Sequence, residues 1–410
     1  MSRALSCIVF LLVNFVWISH GRRGYGPGEQ DWGHIEVRPG GYMFYWLFYT
    51  TDGNVPSYAD RPLIIWLQGG PGSASTSYGN LGEVGPIDMD SQIRDSTWVK
   101  DFNVLFIDQP LGTGFSYLDN HTKFSENNRE LGKDLASFMN GFYRRHREFQ
   151  KVPLHIFGQS YGAKVASEFA LQLQSENSSR LMSVNLVSPW ISPLHSVMSW
   201  GRILFTIGAI DDRLYSEIYV AALEVGHLIK RNLWSDATNQ MFTVQRLIAA
   251  QGIDLYNLME PTENTELREN QLMNGPVRVA LNLSESLHFE SFSNVVFESV
   301  SNDFMKSALN TVEQLLDGTS LKVNIISGQL DLICSTLSTV HWIKKLKWSG
   351  RNTYLSAPRE AIIVRDKIEG FQKTGGNLTM FWVKNAGHSV PLDNPRAMSE
   401  ILKTVTLQYN

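Results

Sequence analysis

Cysteine is nearly absent from this chain. It has two cysteines, Cys7 and Cys334, and Cys7 lies in an apolar N-terminal leader. If the leader is removed, Cys334 is left alone, so the sequence predicts a free thiol and no disulfide within the chain. Stability must then come from a hydrophobic core, which 410 residues with 43% hydrophobic composition can supply.

Several other signals are missing. The net charge is −4 and no basic stripe occurs, so we expect no nucleic-acid partner. The ten histidines are scattered and none forms a His-Glu-x-x-His pair, so we expect no metal site and no cofactor. Beyond the leader, no apolar run is long enough to anchor the chain in a membrane.

The leader itself is typical of a signal peptide. Arg3 precedes an apolar run over residues 5–18, and Ser19-His20-Gly21 predicts cleavage after Gly21. The alternative is an uncleaved anchor. A signal peptide over residues 1–21 implies the secretory pathway, where Asn-x-Ser/Thr triplets carry glycans. The candidate glycosylation sites are Asn120, Asn177, Asn282 and Asn377.

Apolar runs that alternate with helical patterns predict an α/β fold with a mostly parallel central sheet and helices on both faces. The strand-like runs lie at residues 42–49, 63–67, 104–107, 152–157, 184–187, 323–326 and 378–383. Between the runs at 184–187 and 323–326 the pattern changes, because residues 189–320 repeat apolar residues at helical spacing. We therefore predict a core over 22–188 and 321–410, interrupted by a mostly helical cap over 189–320.

The pentapeptide Gly158-Gln159-Ser160-Tyr161-Gly162 joins one such strand to a helix. A strand, Gly-x-Ser-x-Gly and a helix together indicate a nucleophile elbow, in which a tight turn exposes the serine. The alternative is that Ser160 only caps the helix. An earlier strand opens into Gln68-Gly69-Gly70-Pro71-Gly72, the place for an oxyanion-hole amide. That loop alone is equally typical of a plain tight turn.

Two further side chains follow strands at the same end of the predicted sheet. Asp331 comes after the run at 323–326, and His388 comes after the run at 378–383. The order Ser160, Asp331, His388 is that of the α/β-hydrolase fold. His388 would take the proton of Ser160, Asp331 would orient the imidazole, and the amides of Gly70 and Tyr161 would bind the oxyanion.

These motifs resemble those of the serine carboxypeptidase family. The similar segments are Trp66-Leu67-Gln68-Gly69-Gly70-Pro71-Gly72, residues 106–117, the pentapeptide at 158–162, and Ala386-Gly387-His388-Ser389-Val390-Pro391. The resemblance implies an α/β-hydrolase with a helical cap that releases C-terminal residues from peptides. It also implies a secreted or lysosomal location.

The resemblance further implies how the substrate carboxylate is bound. In the family a loop amide and two glutamates that share a proton hold it, and the matching positions are Gln68, Gly69, Glu83 and Gln159. Gln159 replaces one glutamate. We therefore expect Glu83 to accept a hydrogen bond from Gln159 and stay ionised, which predicts weaker carboxylate binding and a flat KM between about pH 5 and 7.

Two alternatives remain open. The same triad would serve an acyltransferase or esterase, and the substitution at Gln159 is also compatible with a non-catalytic scaffold. The sequence does not indicate which residue is preferred at the scissile bond. It does not indicate the oligomeric state either.

Overall fold

The structure is a computed structural model that describes residues 21–176, 180–261 and 263–407. The predicted signal peptide falls almost entirely outside the described residues, and so does the candidate glycosylation site Asn177. None of the described helices is long and apolar enough to cross a membrane.

Within the described ranges, eleven strands form one sheet. They are β1 (Gln30–Arg38), β2 (Gly41–Phe48), β3 (Leu63–Leu67), β4 (Asn103–Ile107), β5 (Tyr117–Leu118), β6 (Leu154–Gln159), β7 (Leu181–Val187), β8 (Lys322–Gly328), β9 (Glu360–Val364), β10 (Lys367–Gly375) and β11 (Leu378–Val383). The order is β1-β2-β4-β3-β6-β7-β8-β11-β10-β9, with β5 beside β2. The six central strands are parallel to one another, namely β4, β3, β6, β7, β8 and β11. The strands outside them pair antiparallel.

Helices surround the sheet. They are α1 (Asn128–Arg145), α2 (Tyr161–Glu176), α3 (Pro193–Thr206), α4 (Asp212–Lys230), α5 (Trp234–Ala249), α6 (Glu266–Leu272), α7 (Arg278–Ala280), α8 (Asn294–Ser299), α9 (Ser301–Phe304), α10 (Leu309–Gly318), α11 (Thr336–Lys345), α12 (Arg351–Ser356), α13 (Val390–Asp393) and α14 (Pro395–Leu407). A π-helix, Ser75–Val84, follows β3. Another short π-helical stretch, Met273–Val277, joins α6 to α7.

The two faces of the sheet pack into separate cores. On β3, Ile65 and Leu67 point to a cluster that includes residues of α1 and α2, whereas Ile64 and Trp66 point to a cluster that includes residues of α14. Successive side chains of a strand alternate between faces, and both faces here are covered. The predicted fold class, an α/β sheet with helices on both faces, is therefore confirmed.

Between β7 and β8, every regular element of the described residues is a helix, from α3 to α10. The stretch before α8 pairs with the chain around the glycine-rich loop. The amide of Ala74 donates to the carbonyl of Ser291 (2.9 Å), and the amide of Ser293 donates to the carbonyl of Gly72 (2.9 Å). The helical segment is thus tied to the loop that follows β3. The exact division into core and cap stays a prediction.

Candidate active site

The predicted elbow lies between β6 and α2. Ser160 has a φ of +59°, a left-handed conformation that L-residues adopt only under constraint. A Cβ on Gly158 would lie 2.3 Å from the carbonyl oxygen of Gly162, and a Cβ on Gly162 would lie 2.2 Å from that of Leu67. The turn therefore requires glycine on both sides of the serine.

Asp331 and His388 meet at the carboxyl ends of the neighbouring strands β8 and β11. The Nδ1 atom of His388 lies 2.9 Å from Oδ2 of Asp331. The other carboxylate oxygen accepts a hydrogen bond from the amide of Cys334 (2.9 Å), which fixes the aspartate. The structure thus brings together the predicted base and the group that orients it.

Electrostatics at His388 favour the imidazolium. Burial alone lowers its pKa, but the charge of Asp331, their hydrogen bond and the charge of Glu83 outweigh burial, so the pKa of His388 is raised above its ordinary value. This field would stabilise a positive charge on the His388 ring.

Cys334 lies among the three predicted catalytic residues, Ser160, Asp331 and His388. Its sulfur shares a hydrogen bond with the hydroxyl of Ser160 and lies within 4.8 Å of ligand atoms of Asp331 and His388. Such a Cys/His/Asp cluster could in principle hold a metal ion, which the spacing of the sequence did not indicate. Asp331, however, already uses both of its oxygens, one for His388 and one for the amide of Cys334.

The Cys334 thiol is buried and stays protonated, because burial and the charge of Asp331 raise its pKa well above its ordinary value. We therefore expect slow alkylation by iodoacetamide, which needs the thiolate. A mercurial that does bind the sulfur should abolish turnover, since the bound group would crowd Ser160.

Titration of the folded protein with a mercurial, followed by an activity assay, tests this expectation. Cys334→Ala should keep turnover within a few-fold of wild type and be insensitive to the reagent. Full activity of wild-type protein after stoichiometric labelling would contradict it.

The glycine-rich loop lies directly against the elbow. A Cβ on Gly69 would be 2.8 Å from the Cβ of Ser160 and 2.9 Å from the amide nitrogen of Tyr161. Gly70 has a φ of +102°. Within the described residues, the amide of Gly70 donates no hydrogen bond. Both amides expected to bind the oxyanion therefore belong to backbone that lies beside Ser160.

Three of the four residues expected to bind a carboxylate, Gln68, Gln159 and Glu83, form a hydrogen-bonded chain. The indole of Trp66 donates to Oε1 of Gln68 (2.7 Å), and the Gln68 amide donates to Oε1 of Gln159. Nε2 of Gln159 then donates to Oε2 of Glu83 (3.0 Å) and to the carbonyl oxygen of His388 (3.2 Å). Gln159 donates both of its amide hydrogens within the protein, so none is left for a substrate carboxylate.

The protonation expected for Glu83 is wrong. We expected it to stay ionised, but burial raises its pKa to about 7, against the opposing effects of the Gln159 hydrogen bond and the charge of His388. The Gln159–Glu83 hydrogen bond was predicted correctly. Burial could not be inferred from the motif, because it depends on how the π-helix packs under α13.

A buried ion pair behind the nucleophile was not foreseen. Nζ of Lys164 donates to the carbonyl oxygens of Asp303 (2.6 Å) and Lys306 (2.9 Å) and lies 3.2 Å from the Asp303 carboxylate. The same carboxylate accepts from the hydroxyl of Tyr161 (3.2 Å). The first turn of α2 is thereby bound to α9. The sequence signal for this ion pair was Lys164 itself, a charged residue within the apolar helical pattern that follows the elbow.

Three candidate glycosylation sites lie among the described residues. Asn120 and Asn282 are exposed. Nδ2 of Asn377, the atom that would carry a glycan, donates to the carbonyl oxygens of Leu316 (3.0 Å) and Leu321 (3.2 Å). This contact disfavours glycosylation of Asn377 in the folded protein.

Comparison with known proteins agrees with this geometry. The family model described as serine carboxypeptidase matches residues 23–408. The chain belongs to the serine carboxypeptidase family. Retinoid-inducible serine carboxypeptidase of Homo sapiens is 31% identical, with 93% of this chain and 92% of that protein covered. Serine carboxypeptidase-like 51 of Arabidopsis thaliana is 30% identical, with 94% of each chain covered.

A solved structure supports the fold. KEX1(DELTA)P, a prohormone-processing carboxypeptidase from Saccharomyces cerevisiae, superposes with a TM-score of 0.81 at 23% identity, and 94% of each chain is covered. As in other members of the serine carboxypeptidase family, the elements are therefore those of an α/β-hydrolase. The family resemblance stated from the motifs is confirmed.

Proposed function

We propose that the protein is a serine carboxypeptidase that releases the C-terminal residue of peptides through an acyl-enzyme on Ser160. The observation that carries the proposal is the chain of hydrogen bonds from Gln68 through Gln159 to Glu83. It ends on the backbone of His388, so a group able to bind a carboxylate is attached to the catalytic base. An exopeptidase needs these two functions side by side.

In the acylation step, His388 removes the proton of Ser160 as the serine oxygen attacks the last peptide carbonyl. The oxyanion is stabilised by the amides of Gly70 and Tyr161, and losing one such donor typically costs about 3–4 kcal/mol. His388 then gives the proton to the leaving amine. A water molecule, activated by the same histidine, hydrolyses the acyl-enzyme.

In the ground state the substrate carboxylate lies near Glu83 and Gln68. Below about pH 7 Glu83 is protonated and can donate a hydrogen bond to the carboxylate. Gln68 has a second amide hydrogen beyond the one given to Gln159, and the Gly69 backbone borders the same space. Gln159 serves as a positioning residue for Glu83 and for the backbone of His388.

The test is product analysis on matched substrates. A blocked dipeptide with a free C-terminus should lose its last residue, whereas its C-terminal amide should react much more slowly. A simple ester of the same blocked residue distinguishes the alternative of an esterase or acyltransferase. Faster turnover of the ester alone, with the dipeptide left intact, would favour that alternative. Absence of any turnover and of labelling by a fluorophosphonate would favour the scaffold.

We further propose that the protein enters the secretory pathway by the signal peptide and is secreted or delivered to lysosomes. Its curated relatives include a venom serine carboxypeptidase of Apis mellifera, 27% identical. The exposed Asn120 and Asn282 are the glycosylation sites favoured by their surroundings.

A further inference from the structure

The amide of Tyr161, which we expect to bind the oxyanion, belongs to the same peptide unit as the carbonyl group of Ser160. A trans peptide unit is planar, and its N–H and C=O point in opposite directions. The carbonyl oxygen of Ser160 accepts hydrogen bonds from the backbone amides of Trp190 (3.0 Å) and Ala163 (3.1 Å). These two bonds therefore help to set the direction of the Tyr161 N–H.

Trp190 is held in turn by the helical segment between β7 and β8. Its indole nitrogen donates to the carbonyl oxygen of Phe304, the last residue of α9 (3.2 Å). The ring of Phe304 stacks on the ring of Trp190, with 5.3 Å between centroids, and on the ring of Tyr161, with 5.8 Å. The end of α9 thus contacts both Tyr161 and the residue whose amide binds Ser160.

Asp303, the neighbour of Phe304 on α9, binds the Tyr161 side chain directly. Its Oδ2 accepts a hydrogen bond from the Tyr161 hydroxyl (3.2 Å). Burial and the charge of Asp303 raise the pKa of this hydroxyl well above its ordinary value, so the hydroxyl remains a donor. Both residues are buried. A hydrogen bond to a carboxylate in such surroundings is stronger than one in water.

Lys164 supplies the charge that balances Asp303. It lies in the first turn of α2, and its ammonium group has three acceptors: the carbonyl oxygens of Asp303 (2.6 Å) and Lys306 (2.9 Å) and the Asp303 carboxylate (3.2 Å). Burial lowers the pKa of Lys164 to about 8, although the charge of Asp303 opposes this effect. The ammonium therefore keeps its three hydrogens at neutral and acidic pH, one for each acceptor.

Within the described residues no disulfide joins the helical segment to the core, because Cys334 is their one cysteine and it is free. The position of α9 against the elbow depends on noncovalent contacts, and Lys164–Asp303 is the ion pair among them. Moving α9 away would leave a buried charge without its partner, which is costly. The pair therefore restrains α9, and α9 restrains Tyr161 and Trp190.

We propose that Lys164 and Asp303 are positioning residues for the Tyr161 amide that binds the oxyanion. They keep α9 against the first turn of α2, and the end of α9 keeps Trp190 on the carbonyl oxygen of Ser160. An oxyanion donor acts only when it is aimed at the charge that develops in the transition state. A small rotation of the peptide therefore weakens catalysis and leaves binding of the substrate unchanged. This inference rests on the proposed acyl-enzyme mechanism.

Lys164→Met removes the ammonium group and keeps an unbranched side chain. We expect kcat on a blocked dipeptide to fall by about 10- to 100-fold, somewhat less than the roughly 10²–10³-fold typical for loss of a whole oxyanion donor. KM should stay within about threefold, because the substrate carboxylate binds at Glu83 and Gln68, away from the change. A blocked peptide aldehyde, whose adduct with Ser160 places its oxygen at the same amides, should inhibit more weakly by a factor similar to that in kcat.

The double variant Lys164→Met/Asp303→Asn separates positioning from stability. Removing one partner of a buried ion pair leaves an uncompensated charge, and neutralising the other partner relieves it. We therefore expect the double variant to unfold at a higher temperature than Lys164→Met, while its kcat stays about tenfold or more below wild type. The double variant also provides the measurement if Lys164→Met does not fold.

The matched control is Asp134→Asn. The carboxylate of Asp134 pairs with Arg38 (3.2 Å), and its side chain is as little exposed as that of Asp303, at 9% against 10%. This pair joins α1 to β1 and has no contact with the elbow. Its loss should lower thermal stability and leave kcat and KM within about threefold of wild type.

The rate at which a fluorophosphonate labels Ser160 is measured on the same proteins, because this reaction uses the oxyanion amides without peptide turnover. It should fall in Lys164→Met together with kcat. A kcat within threefold of wild type in Lys164→Met, or recovery of both kcat and thermal stability in the double variant, would overturn the inference. Wild-type protein that is labelled but cleaves no peptide would instead contradict the proposed function, and the labelling rates would then decide the inference.

Discussion

Replacing Ser160 by alanine should lower kcat by roughly 10⁶-fold while the protein stays folded, since the acyl-enzyme cannot form without the serine oxygen. His388→Ala should cost about as much, and Asp331→Asn about 10⁴-fold, because the wrong imidazole tautomer is then favoured. The hydrogen bond of 2.9 Å between His388 and Asp331 is the contact on which the last value depends.

The double variant Ser160→Ala/His388→Ala decides whether these residues act as one unit. We expect it to be little slower than either single variant. Ser356→Ala is a suitable control, because its exposed hydroxyl bonds only to carbonyl oxygens within α12. Turnover of a blocked dipeptide and labelling by a fluorophosphonate are measured on each variant, with thermal unfolding as the check on folding. Near-wild-type kcat in any single triad variant would refute the assignment.

KM should stay flat from about pH 5 to 6.5 and rise above pH 7. Burial raises the pKa of Glu83 to about 7, so Glu83 is neutral below that pH and negative above it. The substrate carboxylate is negative throughout, and ionised Glu83 would repel it. The sequence predicted a flat KM up to about pH 7, slightly beyond this range, and the reason is reversed, because Glu83 is protonated there.

Glu83→Gln separates charge from shape. The amide is neutral at every pH and still offers donors, so the variant should keep KM within a few-fold below pH 7 and lose the rise above it.

The dependence of stability on pH should also differ between wild type and Glu83→Gln. Since the unfolded chain loses the Glu83 proton at lower pH than the folded protein does, the free energy of unfolding falls between about pH 4.5 and 7, by roughly 3 kcal/mol. That loss should be absent in Glu83→Gln.

Gln159→Glu tests the neighbouring position. It places two carboxyls within hydrogen-bonding distance, which should lower KM in acid and make its rise with pH steeper. KM profiles that superimpose for wild type, Glu83→Gln and Gln159→Glu would mean that Glu83 does not bind the substrate carboxylate. Exopeptidase activity would then depend on Gln68 and Gly69.

The elbow and the triad could be predicted because their signals are local. Gly158 and Gly162 are required by a tight turn, and each catalytic side chain follows a strand whose apolar run is visible in the sequence. The strand order of a parallel sheet then brings Asp331 and His388 together. The antiparallel strands β1, β5, β9 and β10 were missed. Strand β5 has only two residues, and β9 and β10 are half-exposed and carry no continuous apolar run.

By itself the sequence determined the fold class and the family, and it predicted the chemistry of the reacting atoms, since these depend on residue types at fixed spacing. Only the tertiary structure decided the environment of each group. Glu83 is neutral below about pH 7 because it is buried, and Lys164 pairs with Asp303 because packing brings α9 against the first turn of α2. Burial sums contributions from segments far apart in the chain, such as the π-helix, α6 and α9, and no local pattern encodes it.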